Sequence, residues 1–217
     1  MIKIDFRTFF AGCAVVILCE ALFAYMAPQS KTLVVWAMLG LRLVETGFII
    51  LVVVKMGSGL ESLGLALSSW QKGVYRGALW CLGFAFLAAV GMLAAKFFGK
   101  NPLAFFPNPI PGEWMPAVAY LLGAGLIGPI AEEIFYRGLV FGFFRQWGAS
   151  TAILGSTVLF VMSHNIGDHF PVTQTVGGLV FAWSYEKEKS LLVPLMIHIS
   201  GNLALAGVGY WAKTWGA

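Results

Sequence analysis

Apolar residues in this chain come in runs of about twenty, divided by short polar or proline-rich stretches, and a helix crossing a bilayer needs about 20 mostly apolar residues. Residues 9–27 supply one such run, 32–56 a second and 74–98 a third. Between the second and third, residues 57–72 read as a short amphipathic segment at the membrane interface. The stretch 101–112 holds Pro102, Pro107, Pro109 and Pro111 and reads as a loop. Residues 114–147 are too many for one ordinary span and contain Gly128-Pro129. The pattern there predicts a helix to residue 127, a break, and a second helix from Ile130. Runs at 149–164, 172–185 and 191–211 follow. The expected fold is all-α: a polytopic transmembrane helical bundle of seven or eight helices, one membrane domain without internal repeats. Residues 1–113 would form its N-terminal helices and loop, and 114–217 the helices that carry most of its polar chemistry.

Composition agrees with this pattern. A soluble domain carries roughly 25% charged residues, whereas this chain is 59% hydrophobic and 11% charged, with a mean hydropathy of +0.82. Too few polar groups exist to cover a water-facing surface, so most of the chain must face lipid or other apolar helices. The net charge of +4 is spread along the chain, with no basic run that would attract nucleic acid. Cys13, Cys19 and Cys81 all lie in apolar stretches with no partner at metal-binding spacing and read as buried small side chains. Ala11-Gly12-Cys13 ends too short an apolar run for a lipoprotein signal, and the basic N-terminus with its first apolar run reads as an uncleaved helix.

Lysine and arginine placement sets the expected orientation. With the N-terminus in the cytoplasm and 114–147 crossing once, Lys3, Arg7, Lys55, Lys72, Arg76, Arg145, Lys187 and Lys189 are cytoplasmic, eight against the four at Lys31, Lys96, Lys100 and Lys213.

Ionisable residues inside spans are costly and mark function. The set is short: Glu20, Arg42, Glu45, Glu132, Glu133, Arg137, His164, His198, with the amide of Asn202. On a helix Glu133 and Arg137 share a face four residues apart, while Glu132 points about 100° away. Two adjacent carboxylates in a low dielectric cannot both ionise unless one has a cation. Arg137 can serve Glu133, which leaves Glu132 free to exchange a proton as a general base must. His164 closes an apolar helix four residues after Phe160. His198 and Asn202 share one face of the last helix. Each group alone also fits a structural role: an interfacial charge cluster, a helix-end histidine, an interhelical hydrogen-bond pair. Together, three helices bring a carboxylate, a histidine and a His/Asn pair, the groups that hydrolysis requires. Arg42 and Glu45 can pair within the second helix, with Glu20 joining them, as a structural ion network or a contact for a polar substrate tail. Asn165, Asp168 and His169 lie in a Gly- and Pro-containing loop near the site, a solvated loop or a gate.

The ordered set Glu-Glu-x-x-x-Arg (132–137), Phe-x-x-x-His (160–164) and His-x-x-x-Asn (198–202), with Pro194 before the last, resembles the CPBP (Abi) family of intramembrane proteases, which includes the type II CAAX prenyl endopeptidase. The resemblance covers roughly residues 115–205. It implies an intramembrane endopeptidase of the glutamic type that cleaves a membrane-anchored protein or peptide near its embedded or C-terminal segment. The short compact chain and its apolar spans read as a multi-pass protein of a bacterial inner membrane. In such an enzyme Glu132 and His164 activate water, His198 and Asn202 stabilise the oxyanion, and Glu133, Arg137 and Phe160 position the site. Bacterial members that process C-terminal sorting tags, such as the JDVT-CTERM-system type, are similarly small. No cofactor is favoured. A zinc ion on Glu132, His164 and His198 is the metallo alternative, although His-Glu-x-x-His is absent.

Other readings remain. A rhomboid-type serine protease wants Gly-x-Ser-Gly and a later histidine; residue 198 is His, and no histidine follows Ser200. A small transporter lacks the inverted-repeat signal. A non-catalytic scaffold or immunity protein on the same fold has no need of paired acids in lipid.

Overall fold

The computed structural model describes residues 4–57, 59–105, 110–164 and 171–215; Asn165, Asp168 and His169 lie outside them. Among the described residues the chain is all helix and turn, with seven long helices: α1 (Phe6–Met26), α2 (Lys31–Met56), α3 (Trp70–Phe97), α4 (Trp114–Trp147), α5 (Ala149–Ser163), α6 (Val172–Glu188) and α7 (Leu192–Trp215). Helices α1, α2, α3, α4 and α7 are long and apolar enough to cross a membrane. Helix α5 is apolar but has 15 residues and α6 has 17, both short of the roughly 20 that a bilayer requires.

The starts of the helices follow local chemistry. Asp5 caps α1, its Oδ1 accepting from the Thr8 N–H at 2.8 Å, which satisfies one of the donors a helix start leaves unpaired. α1 and α2 form an antiparallel pair tied at mid-depth by Arg42. Its Nη1 sits 2.7 Å from Glu20 Oε1 and 2.6 Å from Glu45 Oε2. Over most of their length the outward faces of α1 and α3 are apolar, with Leu18, Phe86 and Leu93 all exposed. With so little polar cover these faces belong in lipid, and the chain is a multi-pass membrane protein.

The segment expected at the interface is instead two 3-10 turns, Leu60–Leu63 and Leu67–Ser69. Leu63 is fully buried, and its Cδ2 would lie 2.7 Å from a Cβ placed on Gly138 of α4. Gly64, at φ +74, turns the chain back, and its carbonyl accepts from the Leu191 N–H at 3.0 Å. Only glycine adopts that φ without strain, and a Cβ here would also press on the Tyr185 ring at 2.8 Å.

α4 is the axis of the bundle, touching α2, α5, α6 and α7. Its residues Glu133, Arg137, Leu139, Val140 and Phe141 are essentially inaccessible. The expected break at Gly128-Pro129 is absent. Backbone angles stay helical at Ile127 (φ −70, ψ −42) and Gly128 (φ −56, ψ −57). The proline is accommodated by widening rather than breaking the helix: Gly123–Ile127 is a π turn, in which Gly128 N–H bonds Gly123 O. A second π stretch runs over Glu133–Phe141. At about 1.5 Å per residue the 34-residue helix is roughly 50 Å long, so it must tilt or project beyond a core of about 30 Å.

α3 lies against α7 through Gly73 and Gly77, a Gly-x-x-x-Gly pair that brings the backbones close. A Cβ at Gly73 would meet Ser190 Oγ at 2.6 Å, and one at Gly77 would meet Met196 Sδ at 2.5 Å. Replacing either with leucine should therefore push α3 off α7 and lower the thermal unfolding midpoint in detergent, by about 1–3 kcal/mol of overpacking strain. Gly83→Leu on the same helix, where no atom lies within 4 Å of a built Cβ, should leave the midpoint unchanged or raise it.

Candidate active site

Two adjacent positions of α4, Glu132 and Glu133, meet His198 in the middle of α7. Glu133 and Arg137 are fully buried, with Arg137 Nη1 donating to Glu133 Oε1 at 3.0 Å. The same Oε1 lies 2.8 Å from His198 Nδ1. Arg137 Nη2 donates to the Gly178 carbonyl of α6 at 3.3 Å, and the guanidinium sits 4.5 Å from the Phe160 ring centroid and 5.1 Å from that of Phe181. The cation is thus held by a carboxylate, a carbonyl and two aromatic faces, contacts that offset the cost of taking it out of water.

The hydrogen bond at Nδ1 decides what the other ring nitrogen of His198 can do. Glu133 Oε1, with Arg137 beside it, is an acceptor, so Nδ1 must be the donor. Nε2 then faces the cavity, carrying a lone pair in the neutral ring or a proton in the imidazolium. Glu132 Oε2 lies 3.8 Å from it. Glu132 is not sealed in: its side chain keeps 30% exposure, against 7% for His198. The His198 ring is fixed in plane by stacking on Phe181, with centroids 4.5 Å apart and planes 21° from parallel.

His164, at the end of α5, places Nδ1 2.7 Å from the Phe160 carbonyl. A carbonyl only accepts, so Nδ1 carries the hydrogen and Nε2 is left with its lone pair. Phe160 touches both histidines, its ring centroid 4.5 Å from that of His164 and 6.1 Å from that of His198. Asn202 Nδ2 donates to the Ala124 carbonyl at 2.6 Å. That carbonyl is free for a reason: the next bond in the π register would come from the N–H of residue 129, and Pro129 has none. One amide hydrogen of Asn202 is engaged in this way, and the second remains.

Glu132, His164, His198 and Asn202 all line one cavity of about 1530 Å³, whose remaining wall is mostly apolar residues of α2, α3, α6 and α7. Arg42 of the Glu20–Arg42–Glu45 cluster also faces it. For the zinc alternative, Glu132, His164 and His198 line one cavity and the Glu133 bond leaves His198 Nε2 free, while among the described residues no three His, Cys, Asp or Glu side chains are grouped so as to hold a metal ion.

Two contributors carry no signal in the sequence. Phe181 and Gly178 belong to α6, where an aromatic and a glycine in an apolar run look ordinary. A Cβ on Gly178 would meet Thr157 Cγ2 at 2.9 Å and Phe160 Cδ1 at 3.3 Å, so its smallness lets α6 approach α5 and put its carbonyl on Arg137.

Residues 114–204 match the family described as Type II CAAX prenyl endopeptidase Rce1-like. Residues 114–204 are therefore similar to that family. The matched span contains Glu132, Glu133, Arg137, Phe160, His164, His198 and Asn202 and amounts to somewhat under half of the chain. Two bacterial proteins are similar. "Putative membrane peptidase YdiL" of Bacillus subtilis (strain 168) is 31% identical over 83 residues, 38% of this chain and 34% of that protein. "UPF0177 protein YxdF" of Lactococcus lactis subsp. lactis (strain IL1403) is 29% identical over 84 residues, 39% of this chain and 45% of that protein. The chain thus spans between a third and a half of the length of these curated relatives. No solved structure matches.

The buried Glu133–Arg137 pair makes a sharp prediction. Arg137→Met removes the cation and leaves Glu133 buried without it, a loss of about 3–5 kcal/mol. Adding Glu133→Gln removes the orphaned charge, so the double variant should recover part of that loss in a detergent thermal-unfolding series. Equal destabilisation of the single and double variants would show that the pair is not what holds α4 in place.

Proposed function

We propose that this chain is an intramembrane endopeptidase of the bacterial inner membrane. It hydrolyses a peptide bond in or beside the membrane-embedded or C-terminal segment of a protein, through a water activated by Glu132 and His164. The observation that carries the reading is the facing of Glu132 Oε2 and His198 Nε2 at 3.8 Å on the wall of a cavity deep in the bundle, with Glu133 and Arg137 locked behind them.

Charge balance explains the arrangement. With Glu132 and Glu133 as carboxylates and Arg137 as a cation, the cluster is neutral when His198 is also protonated. Glu132 Oε2 and His198 Nε2 face each other at 3.8 Å, beyond direct hydrogen-bond reach and close enough for a water to bridge them. A water beside Glu132 gives up a proton to that carboxylate or to the lone pair on His164 Nε2, while its oxygen adds to the scissile carbonyl. The developing oxyanion accepts from the second Asn202 amide hydrogen and from His198 Nε2–H, whose positive charge Glu133 supports through Nδ1. Collapse of the tetrahedral species breaks the C–N bond, and the proton taken from water passes to the leaving amine. Glu133, Arg137, Phe160 and Phe181 position the two histidines. The apolar walls exclude bulk water and suit a hydrophobic substrate segment. Members that process C-terminal sorting tags are one model for the substrate.

Glu132→Gln keeps the shape and removes the base. Cleavage of membrane-anchored reporters, C-terminal tags included, should fall about 10²–10⁴-fold with the thermal midpoint unchanged. Asn202→Ala should cost about 10²–10³-fold in kcat. Wild-type turnover should be insensitive to a chelator. Undiminished cleavage by a well-folded Glu132→Gln protein would end the peptidase reading and favour a scaffold, and loss of wild-type activity on chelation would revive a metal.

A further inference from the structure

On the outer surface, sharing only Phe84 with the lining of the large cavity, a recess of about 690 Å³ runs between α3 and α6. Its two ends differ in chemistry. At one end stand Arg76 and Lys187. Glu188 lies between α3 and α6, taking the Trp80 indole N–H at 3.1 Å on one oxygen, with Arg76 Nε 3.5 Å from the other. The carboxylate is turned inward, with 10% of its side chain exposed, whereas Arg76 keeps 48%. Lys187 rests its ammonium over two indoles, 5.2 Å from the Trp183 centroid and 5.7 Å from that of Trp80. Two cations against one inward carboxylate leave a surface with a net positive charge. Beyond this end the floor of the recess is apolar, formed by Leu79, Gly83, Phe84 and Leu87. From Arg76 to Leu87 the helix rises roughly 16 Å, about the length of half an extended acyl layer.

The recess also sits at a defined depth. It lies at the first turns of α3 and the last turn of α6, where Arg145 grips Glu186 at 2.9 and 3.0 Å and Lys189 joins at 2.5 Å. The lysine and arginine bias of the sequence puts this end in the cytoplasm. Tryptophans beside cations mark the headgroup level of a bilayer.

We propose that the α3–α6 recess is a binding site for one anionic phospholipid, with its phosphate at Arg76 and Lys187 and an acyl chain along Leu79, Gly83 and Leu87. Charge selects the class: a net-positive pocket gains from an anionic headgroup, whereas a zwitterionic one brings its own cation. Gly83 leaves the lane open, since no atom lies within 4 Å of its built Cβ. Phe84 lines both the recess and the large cavity, so a bound lipid leans on a shared wall. The proposal rests on this groove alone and does not require peptidase activity.

The test is native mass spectrometry of the detergent-purified full chain with phosphatidylglycerol, phosphatidylcholine or glycerol phosphate. Phosphatidylglycerol should be retained in preference to phosphatidylcholine, and Arg76→Ala/Lys187→Ala should reduce that preference about tenfold. Gly83→Leu keeps every charge and fills the lane, so it should lower retention of both lipids and is independent of any folding defect in the charge variant. Equal retention of the two lipids by wild type, or full retention by Gly83→Leu, would overturn the site. Glycerol phosphate competing as well as the whole lipid would also overturn it, by showing a bare anion site.

Discussion

A guanidinium with no access to water lies at the centre of this bundle, and the surrounding helices are arranged to keep it there. Arg137 draws a carboxylate from its own helix, a carbonyl from α6 and aromatic faces from α5 and α6. Through Glu133 it reaches His198 on α7. Four helices thus converge on one charge. An ion buried alone costs several kcal/mol even after relaxation, so the helices cannot separate without paying that penalty. Dispersion contacts between apolar faces tolerate sliding, so a directed set of polar contacts such as this one helps fix their mutual rotation.

The same node sets the chemistry of the cavity wall. Glu133 dictates that His198 presents Nε2 inward, and the Phe160 carbonyl dictates the same for His164. Two histidines that look equivalent in the sequence are thereby prepared differently. One is backed by a carboxylate and suited to carry positive charge, while the other is backed by a neutral carbonyl and suited to accept a proton. Glu132, one residue from Glu133, falls on the open side and keeps partial exposure. Adjacent identical residues acquire opposite environments because a helix turns about 100° between them.

Much of this was legible in the sequence. Long apolar runs gave the helices, and the scarcity of charge made each intramembrane polar residue conspicuous, Glu132, His198 and Arg42 among them. Three things were not legible. Gly128-Pro129 reads as a break because proline ordinarily ends hydrogen bonding, but a wider turn and the amide of Asn202 absorb the loss. Phe181 and Gly178 are invisible because an aromatic and a glycine in an apolar helix have many uses, and only the positions of Arg137 and His198 reveal theirs. Residues 57–72 were amphipathic as read, but their apolar side chain Leu63 packs onto Gly138 rather than into lipid. Periodicity reports that a face is apolar and not which apolar medium covers it.

The wide turns of α4 have a further consequence. A π turn is an α-helix holding one residue more than its periodicity allows, equivalent to a single-residue insertion that the helix swallowed instead of looping out. Crossing Gly123–Ile127 advances the register, so Ala124, which meets Asn202, and Glu133, which meets His198, face α7 together only because that residue is present. Ideal helical phase carried across this stretch would rotate every later side chain by about 100°. Between relatives, then, the length of this segment should behave as a clock setting: one residue lost here would keep every motif intact in the text of the sequence and still turn its carboxylates away from the histidines.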